Sequence, residues 1–136
     1  MNDFKIRIWS KNEKTYLKNY CLSEDNSVVV KKNWTDYKQK VIIELFTGLK
    51  DITGKDIYEG DIIKRNTHST GFYANELHEV FWNEKYSCFA VLPLRLKNER
   101  KYFLNKDVKE FAHLCFYNDW EILGNINENE NIFFGN

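Results

Sequence analysis

The chain has 136 residues, 43% of them hydrophobic, and 20 Lys plus Arg balance 20 Asp plus Glu, so the net charge is zero. That length and apolar content suit one domain with its own core and exclude the disordered class. The neutral balance removes the electrostatic footprint usual in a protein that embraces duplex nucleic acid. Ten Phe, eight Tyr and four Trp favour strands over helices.

Phe4, Ile6 and Ile8 alternate with Lys5 and Arg7, a period of two that predicts a half-buried strand with the basic residues on its other face. The polar run 10–14 reads as a hairpin loop and 15–22 as the return strand, with Tyr16 and Tyr20 on one face. Residues 24–27 form a turn cluster, and Val28 to Val30 a β-branched strand. A charged connection carrying Trp34 and Tyr37 leads to Val41–Phe46, apolar on both faces and so expected at the centre of a sheet.

Residues 46–64 are the densest in turn chemistry. Gly48 relaxes the backbone after Phe46. Asp51 can accept from amides two or three residues on, and Gly54 can take positive φ without steric cost. Gly60 and Asp61 repeat that logic before the apolar strand that begins at Ile62. A tight glycine turn that launches a strand is common where small barrels turn a corner. Residues 66–75, with Gly71, read as a long loop. Residues 77–82 and 87–92 read as paired strands, closed by Pro93, and 94–104 as a continuation broken by a loop at 98–101.

Asn105 is an N-cap candidate, Asp107 suits a first turn, and Val108, Phe111, Ala112, Cys115 and Phe116 recur at helical spacing. The pattern predicts one amphipathic helix at about 105–117. Trp120–Ile126 returns as a strand through Gly124, and the polar tail from Asn127 turns abruptly apolar at Ile132, Phe133 and Phe134. The fold class expected is mainly β (β-rich α+β): a small barrel-like antiparallel sheet with one short helix. A single domain, 1–136, divides into N-terminal strands (1–46), a barrel-like core (47–126) and a tail (127–136).

Few residues carry a chemical signature. Asp56, Glu59 and Asp61 lie close together, but a calcium loop needs regular ligand spacing and a closing Glu, and acid–base work needs carboxylates in unlike environments. Turn chemistry is the preferred reading. His68, His78 and His113 lack the helical pairing of a zinc site, and Cys115 is too near His113 on a helix to face the same way. Cys21, Cys88 and Cys115 are odd in number and far apart, which points to a reducing interior, here the cytoplasm. A Cys–His nucleophilic pair would have to be assembled by the fold. Lys50 and Lys55, each near a glycine, hint at an anionic ligand without the glycines and helix of a phosphate cradle. Neither a leader nor an apolar run long enough to span a membrane is visible. Catalytic residues, metal ligands and cofactors are therefore not assigned.

The order Phe4-Lys-Ile-Arg-Ile-Trp9, then Phe46-Thr-Gly-Leu-Lys-Asp with Gly54-Lys-Asp-Ile-Tyr-Glu-Gly-Asp-Ile-Ile-Lys64, then Trp120-Glu-Ile-Leu-Gly-Asn-Ile126 with Glu128-Asn129 resembles the YopX family, proteins of phages and prophages of Gram-positive bacteria. The match is collinear, and only 66–116 lacks an alignable motif. The resemblance implies a mostly β, barrel-like fold, an oligomer, and a phage-encoded accessory role in the host cytoplasm. It implies no reaction. Family members tend to end the last motif with Tyr-Glu-Asn-Pro, whereas here Asn127 precedes Glu128 and Glu130 stands at the Pro, so a looser final turn is expected.

The function expected is a non-enzymatic, self-associating binding module that antagonises a host process or defence system, by occupying a host protein or sequestering a small nucleotide. Trp34, Tyr37, Phe72, Tyr73, Lys50 and Lys55 are the candidate ligand or partner contacts, with Trp9 and Tyr86 as further exposed aromatics. Phe81, Trp82, Phe89 and Phe103 are expected to fill the core. Ile132, Phe133 and Phe134 are the candidate oligomer contact, and Gly48, Gly54, Gly60, Asp61 and Gly124 the structural turns. One alternative is single-stranded nucleic-acid binding, with aromatics stacking on bases and Lys31, Lys32, Lys38 and Lys40 on phosphates. The other, ranked last, is a metal-dependent hydrolase or nuclease built on Asp56, Glu59 and Asp61.

Overall fold

In the computed structural model, residues 5–18, 21–22, 27–32, 35–66, 76–94 and 112–130 are described. They form strands β1 (Ile6–Ser10), β2 (Thr15–Tyr16), β3 (Cys21–Leu22), β4 (Ser27–Lys32), β5 (Thr35–Lys50), β6 (Asp56–Tyr58), β7 (Asp61–Arg65), β8 (Leu77–Asn83), β9 (Cys88–Pro93), β10 (Ala112–His113) and β11 (Trp120–Asn125). The protein is mainly β, an antiparallel sheet curled into a half-barrel. The six-stranded part runs β2-β1-β5-β4-β3 with β6 also on β5, and the five-stranded part runs β10-β9-β8-β7-β11.

Strand β5 is the spine. Its 16 residues pair in succession with β4, β1 and β6. Of the expected charged connection after Val30, residues 31–32 and 35–40 are strand: Lys32 pairs with Thr35 and Ser27 with Lys40 along an antiparallel ladder. The register shifts between Phe46 and Lys50, where Gly48 takes φ +86°. There Thr47 Oγ1 donates to the Ile57 carbonyl at 2.7 Å, so the bulged backbone stays satisfied.

The core follows the β7–β9 and β11 patterns. Ile57, Ile63, Val80, Val91, Leu114 and Trp120 form one buried cluster, with Phe89, Tyr117 and Ile122 against it. A smaller cluster packs Ile6, Leu17 and Val41 around Ile8. The β8–β9 hairpin turns where Asn83 Oδ1 accepts the N–H groups of Lys85 and Tyr86 at 3.0 and 3.3 Å.

The expected helix is corrected where the structure describes it. Ala112–His113 is a strand paired with Ala90 and Val91 of β9, and Leu114–Phe116 is a 3-10 turn; residues 105–111 lie outside the described residues. The helical spacing of the apolar residues is real, but β9 offers a row of unpaired backbone groups that a strand satisfies and a helix does not. Leu114 still reaches the core, and its carbonyl accepts the Trp120 indole N–H at 3.0 Å. Among the described residues, no helix is long and apolar enough to cross a membrane.

Candidate functional site

The polar centre of the molecule gathers on Arg7. It lies opposite Glu44 in the β1–β5 register, and its Nε donates to Glu44 Oε1 at 2.8 Å. Its Nη2 reaches Asp61 Oδ1 at 2.8 Å and the Glu59 carbonyl at 3.1 Å. The guanidinium lies between the rings of Tyr16 and Tyr58, 4.8 Å from each centroid. Tyr16 donates its phenol proton to Glu44 Oε1 at 2.9 Å, and Asn127 Nδ2 donates to Tyr16 Oη and Glu44 Oε2 at 3.1 and 3.2 Å. One cation therefore ties together the first strand, the spine and the Gly60 turn, and its partner Glu44 reaches on to the C-terminal turn.

Glu44 is not evident from the sequence, where its strand reads as apolar on both faces. The alternation is inverted there: Glu44 is buried and Ile43 is 38% exposed. A lone Glu inside Val-Ile-Ile-Glu-Leu-Phe, facing a lone Arg in another apolar strand, was the available signal. Arg7 is likewise not on a solvated face; its side chain is 19% exposed.

Burial sets the titration of this cluster. It raises the Asp61 carboxyl to about 6, against the pull of Arg7 and of the Tyr58 N–H, and Glu44 adds to the rise. Burial, then Glu44, also raises Glu59, although the Leu45 N–H at 2.9 Å opposes the shift. Tyr16 is pushed well above the ordinary phenol value, chiefly by burial. For Arg7, burial disfavours the charge, but Asp61 and Glu44 outweigh it and hold the pKa above its usual value.

The glycine turns have distinct roles. Asp51 Oδ1 accepts from the Thr53 N–H, the Thr53 hydroxyl and the Lys55 N–H at 2.8, 2.7 and 3.0 Å. Burial opposes ionisation of Asp51, but these bonds and that from Ile122 hold its pKa below the ordinary value. Gly54 (φ +90°) closes this turn in open space. Gly60 (φ +85°) sits against Glu44, where a Cβ would overlap Oε2. Its N–H donates to the Val80 carbonyl and its own carbonyl accepts from Ile126, both at 2.9 Å. Gly124 flanks the β11 bulge, where the pairing with β7 slips between Ile122 and Gly124.

The proposed acid trio is divided. Asp56 binds Lys5 and Lys50 at 3.3 and 2.6 Å, Glu59 binds Leu45, and Asp61 binds Arg7 and Tyr58. Among the described residues, no three His, Cys, Asp or Glu side chains gather as a metal would need. Lys50 is spoken for by Asp56, and Lys55 is exposed on the Asp51 turn. His78 is buried, with Nδ1 3.1 Å from the Glu76 carbonyl, whereas His113 meets Cys88 Sγ at 2.8 Å.

Several candidates lie outside the described residues: Trp34, Phe72, Tyr73, His68, Phe103, Ile132, Phe133 and Phe134, together with the side chains of Tyr37, Lys31, Lys32, Lys38 and Lys40. Trp9 is buried against Tyr16. Phe81 is buried too, but Trp82 is not a simple core residue: it is 36% exposed, edge-on to Phe89 at 4.9 Å. Tyr86 is 50% exposed, with the Lys85 ammonium 5.5 Å over its ring. The tip of the β8–β9 hairpin thus presents Trp82, Lys85 and Tyr86. The C-terminal turn, expected to be loose, is tightly bonded: Asn125 Oδ1 accepts from Asn127 and Glu128, and Asn129 Oδ1 from the Asn125 N–H.

A comparison with curated proteins finds no match. Among solved structures, the chain is similar to the crystal structure of protein EF1440 from Enterococcus faecalis, with a TM-score of 0.57 and 20% identity over 98% of this chain and 99% of that one. A likeness at that identity concerns the fold alone. The family model for YopX protein matches residues 4–133, nearly the whole chain with all three collinear motifs inside it. The chain belongs to the YopX family.

Proposed function

We propose that this protein is a phage-encoded accessory protein that acts by binding, as a self-associating module, and antagonises a host process by occupying a host protein. One observation carries the reading. All four acids of the glycine-rich segment, Asp51, Asp56, Glu59 and Asp61, are engaged by donors from the protein itself. Groups so committed hold a scaffold together; a reagent needs an acid or base free to meet substrate. At the β8–β9 tip the exposed Trp82 and Tyr86 supply contact area of the residue types that anchor protein interfaces.

The test is a pull-down from infected host lysate with the full chain as bait, beside the Trp82→Ala/Tyr86→Ala variant, read by mass spectrometry of proteins and small molecules. A host protein retained by the wild type and lost from the variant supports the reading. Capture of a nucleotide alone, or of nothing, overturns it. Light scattering on the eluted chain tests self-association, and a monomer at micromolar concentration removes that part.

A further inference from the structure

The outer edge of the five-stranded sheet carries a thiol–imidazole cluster apart from the Arg7 centre. Cys88 opens β9, and its Sγ lies 2.8 Å from His113 Nδ1. Cys88 is half-buried, and Cys115 is exposed. The register pairs Ala112 with Val91 and His113 with Ala90 and ends there, because Leu114–Phe116 is a 3-10 turn; Cys115 lies in that turn, near enough to Cys88 to act on its ionisation. His113 stands on the Cys88 side because its partner Ala90 shares that face of β9 with Cys88, and Leu114, the next residue, enters the core. The Leu114–Phe116 turn remains packed on β9.

We propose that Cys88 and Cys115 form a reversible disulfide when the protein meets a low-molecular-weight disulfide or a peroxide, and that His113 accepts the Cys88 proton in the closing step. The exposed Cys115 reacts first. With oxidised glutathione, its sulfur displaces one glutathione thiol and keeps the other half as a mixed disulfide. Cys88 then attacks Cys115 Sγ: the Cys88–Cys115 bond forms, the Cys115–glutathione bond breaks, and the proton held by His113 goes to the departing glutathione thiolate. The two protein thiols are oxidised and one glutathione disulfide is reduced to two thiols. With hydrogen peroxide, Cys115 becomes a sulfenic acid and releases water, and attack by Cys88 releases a second water.

His113 is needed because Cys88 rests as a thiol. Burial first, and the neighbouring Cys115 second, raise its pKa. With the imidazole in its Nε2–H tautomer, the thiol donates to Nδ1 and the proton has a short path to leave. Closure would fasten the two-residue β10 covalently to β9.

The test treats the full chain, in wild-type form and with Cys21→Ser, with oxidised glutathione under native conditions, and follows it by intact mass and peptide mapping. The expected product has Cys88 joined to Cys115 and is restored by a reducing thiol. Cys88→Ser is expected to stop at a stable glutathione adduct on Cys115, and Cys115→Ser to leave Cys88 unmodified. His113→Gln is expected to slow closure on the order of tenfold or more and to move its pH profile to higher pH; a merely structural His113 would change neither the profile nor its midpoint. A wild-type chain that accumulates the adduct without closing, joins Cys21 instead, or keeps all its thiols at potentials that oxidise thioredoxin overturns the proposal.

Discussion

The Ile122 backbone N–H donates to Asp51 Oδ2 at 3.0 Å across 71 residues of sequence. Alongside it the Ile52 N–H meets the Trp120 carbonyl at 2.9 Å. The glycine-rich segment and the closing Trp-Glu-Ile-Leu-Gly motif are therefore two halves of one clasp. Asp51 uses one oxygen to close its own turn and the other to hold β11 in place. Replacing it with Ala leaves the Thr53, Lys55 and Ile122 N–H groups without this acceptor, at a cost of about 1–3 kcal/mol for each that water cannot reach. Asp51→Ala is expected to lose roughly 3 kcal/mol in urea melts, and Asp51→Asn less, because the amide retains one acceptor oxygen. Equal losses for the two would show that the bonds to the retained oxygen contribute little.

Much of this architecture could be read from local chemistry. The β1 alternation, the Asn83 turn and the demand for positive φ at Gly54 and Gly60 are written within a few residues of where they act. The Arg7–Glu44 pair was hidden because its partners lie 37 residues apart and each alone resembles a charge on a solvated strand. The segment around Ala112–Phe116 was misread for a related reason. Its apolar spacing fits a helix, but His113, Leu114 and Cys115 also alternate, and the vacant edge of β9 decides between the two. The Cys88–His113 contact shares that cause: it exists only because β10 is a strand.

Gly60 separates two costs that glycines usually combine. At Gly48 and Gly54 an added methyl meets open space, so Ala carries only the strain of positive φ, about 1–2 kcal/mol. At Gly60 the same methyl also lands on the Glu44 carboxylate, which Arg7, Tyr16 and Asn127 hold in place. Gly60→Ala is expected to exceed Gly54→Ala by on the order of 2 kcal/mol in chemical denaturation, as overpacking does elsewhere. Adding Glu44→Ala to Gly60→Ala removes the overlap, so non-additivity in that pair is the sharper measurement.

Arg7 is the cation on which Glu44 and Asp61 converge. Removing one member of a buried ion pair leaves an uncompensated charge and typically costs about 3–5 kcal/mol. Arg7→Met is expected to fall in that range, and Arg7→Lys to recover only part of it, because an ammonium cannot address Glu44, Asp61 and the Glu59 carbonyl through a planar fork. With Asp61→Asn added to Arg7→Met, the second substitution should cost less than it does alone. Strict additivity would mean that Arg7 and Asp61 do not depend on each other.

That dependence has a signature in pH. Asp61 binds its proton more tightly folded (about 6) than unfolded (near 3.8), so it stabilises the folded state most at low pH, and stability falls as pH rises from about 4 to 6. The gap of about 2 units corresponds to on the order of 3 kcal/mol at most. Glu59, also raised, acts in the same direction. Asp51 and Asp56 have lowered pKa values and act oppositely: their contributions are present above about pH 4 and are lost in more acidic solution. Stability measured by urea melts should therefore peak near pH 4 and decline until about pH 6. Asp61→Asn removes the group that titrates, so its curve should stay flatter between pH 4 and 6 even though the variant is weaker in absolute terms. A wild-type curve that rises steadily from pH 4 to 7 would mean that Arg7 wins over burial and keeps Asp61 ionised.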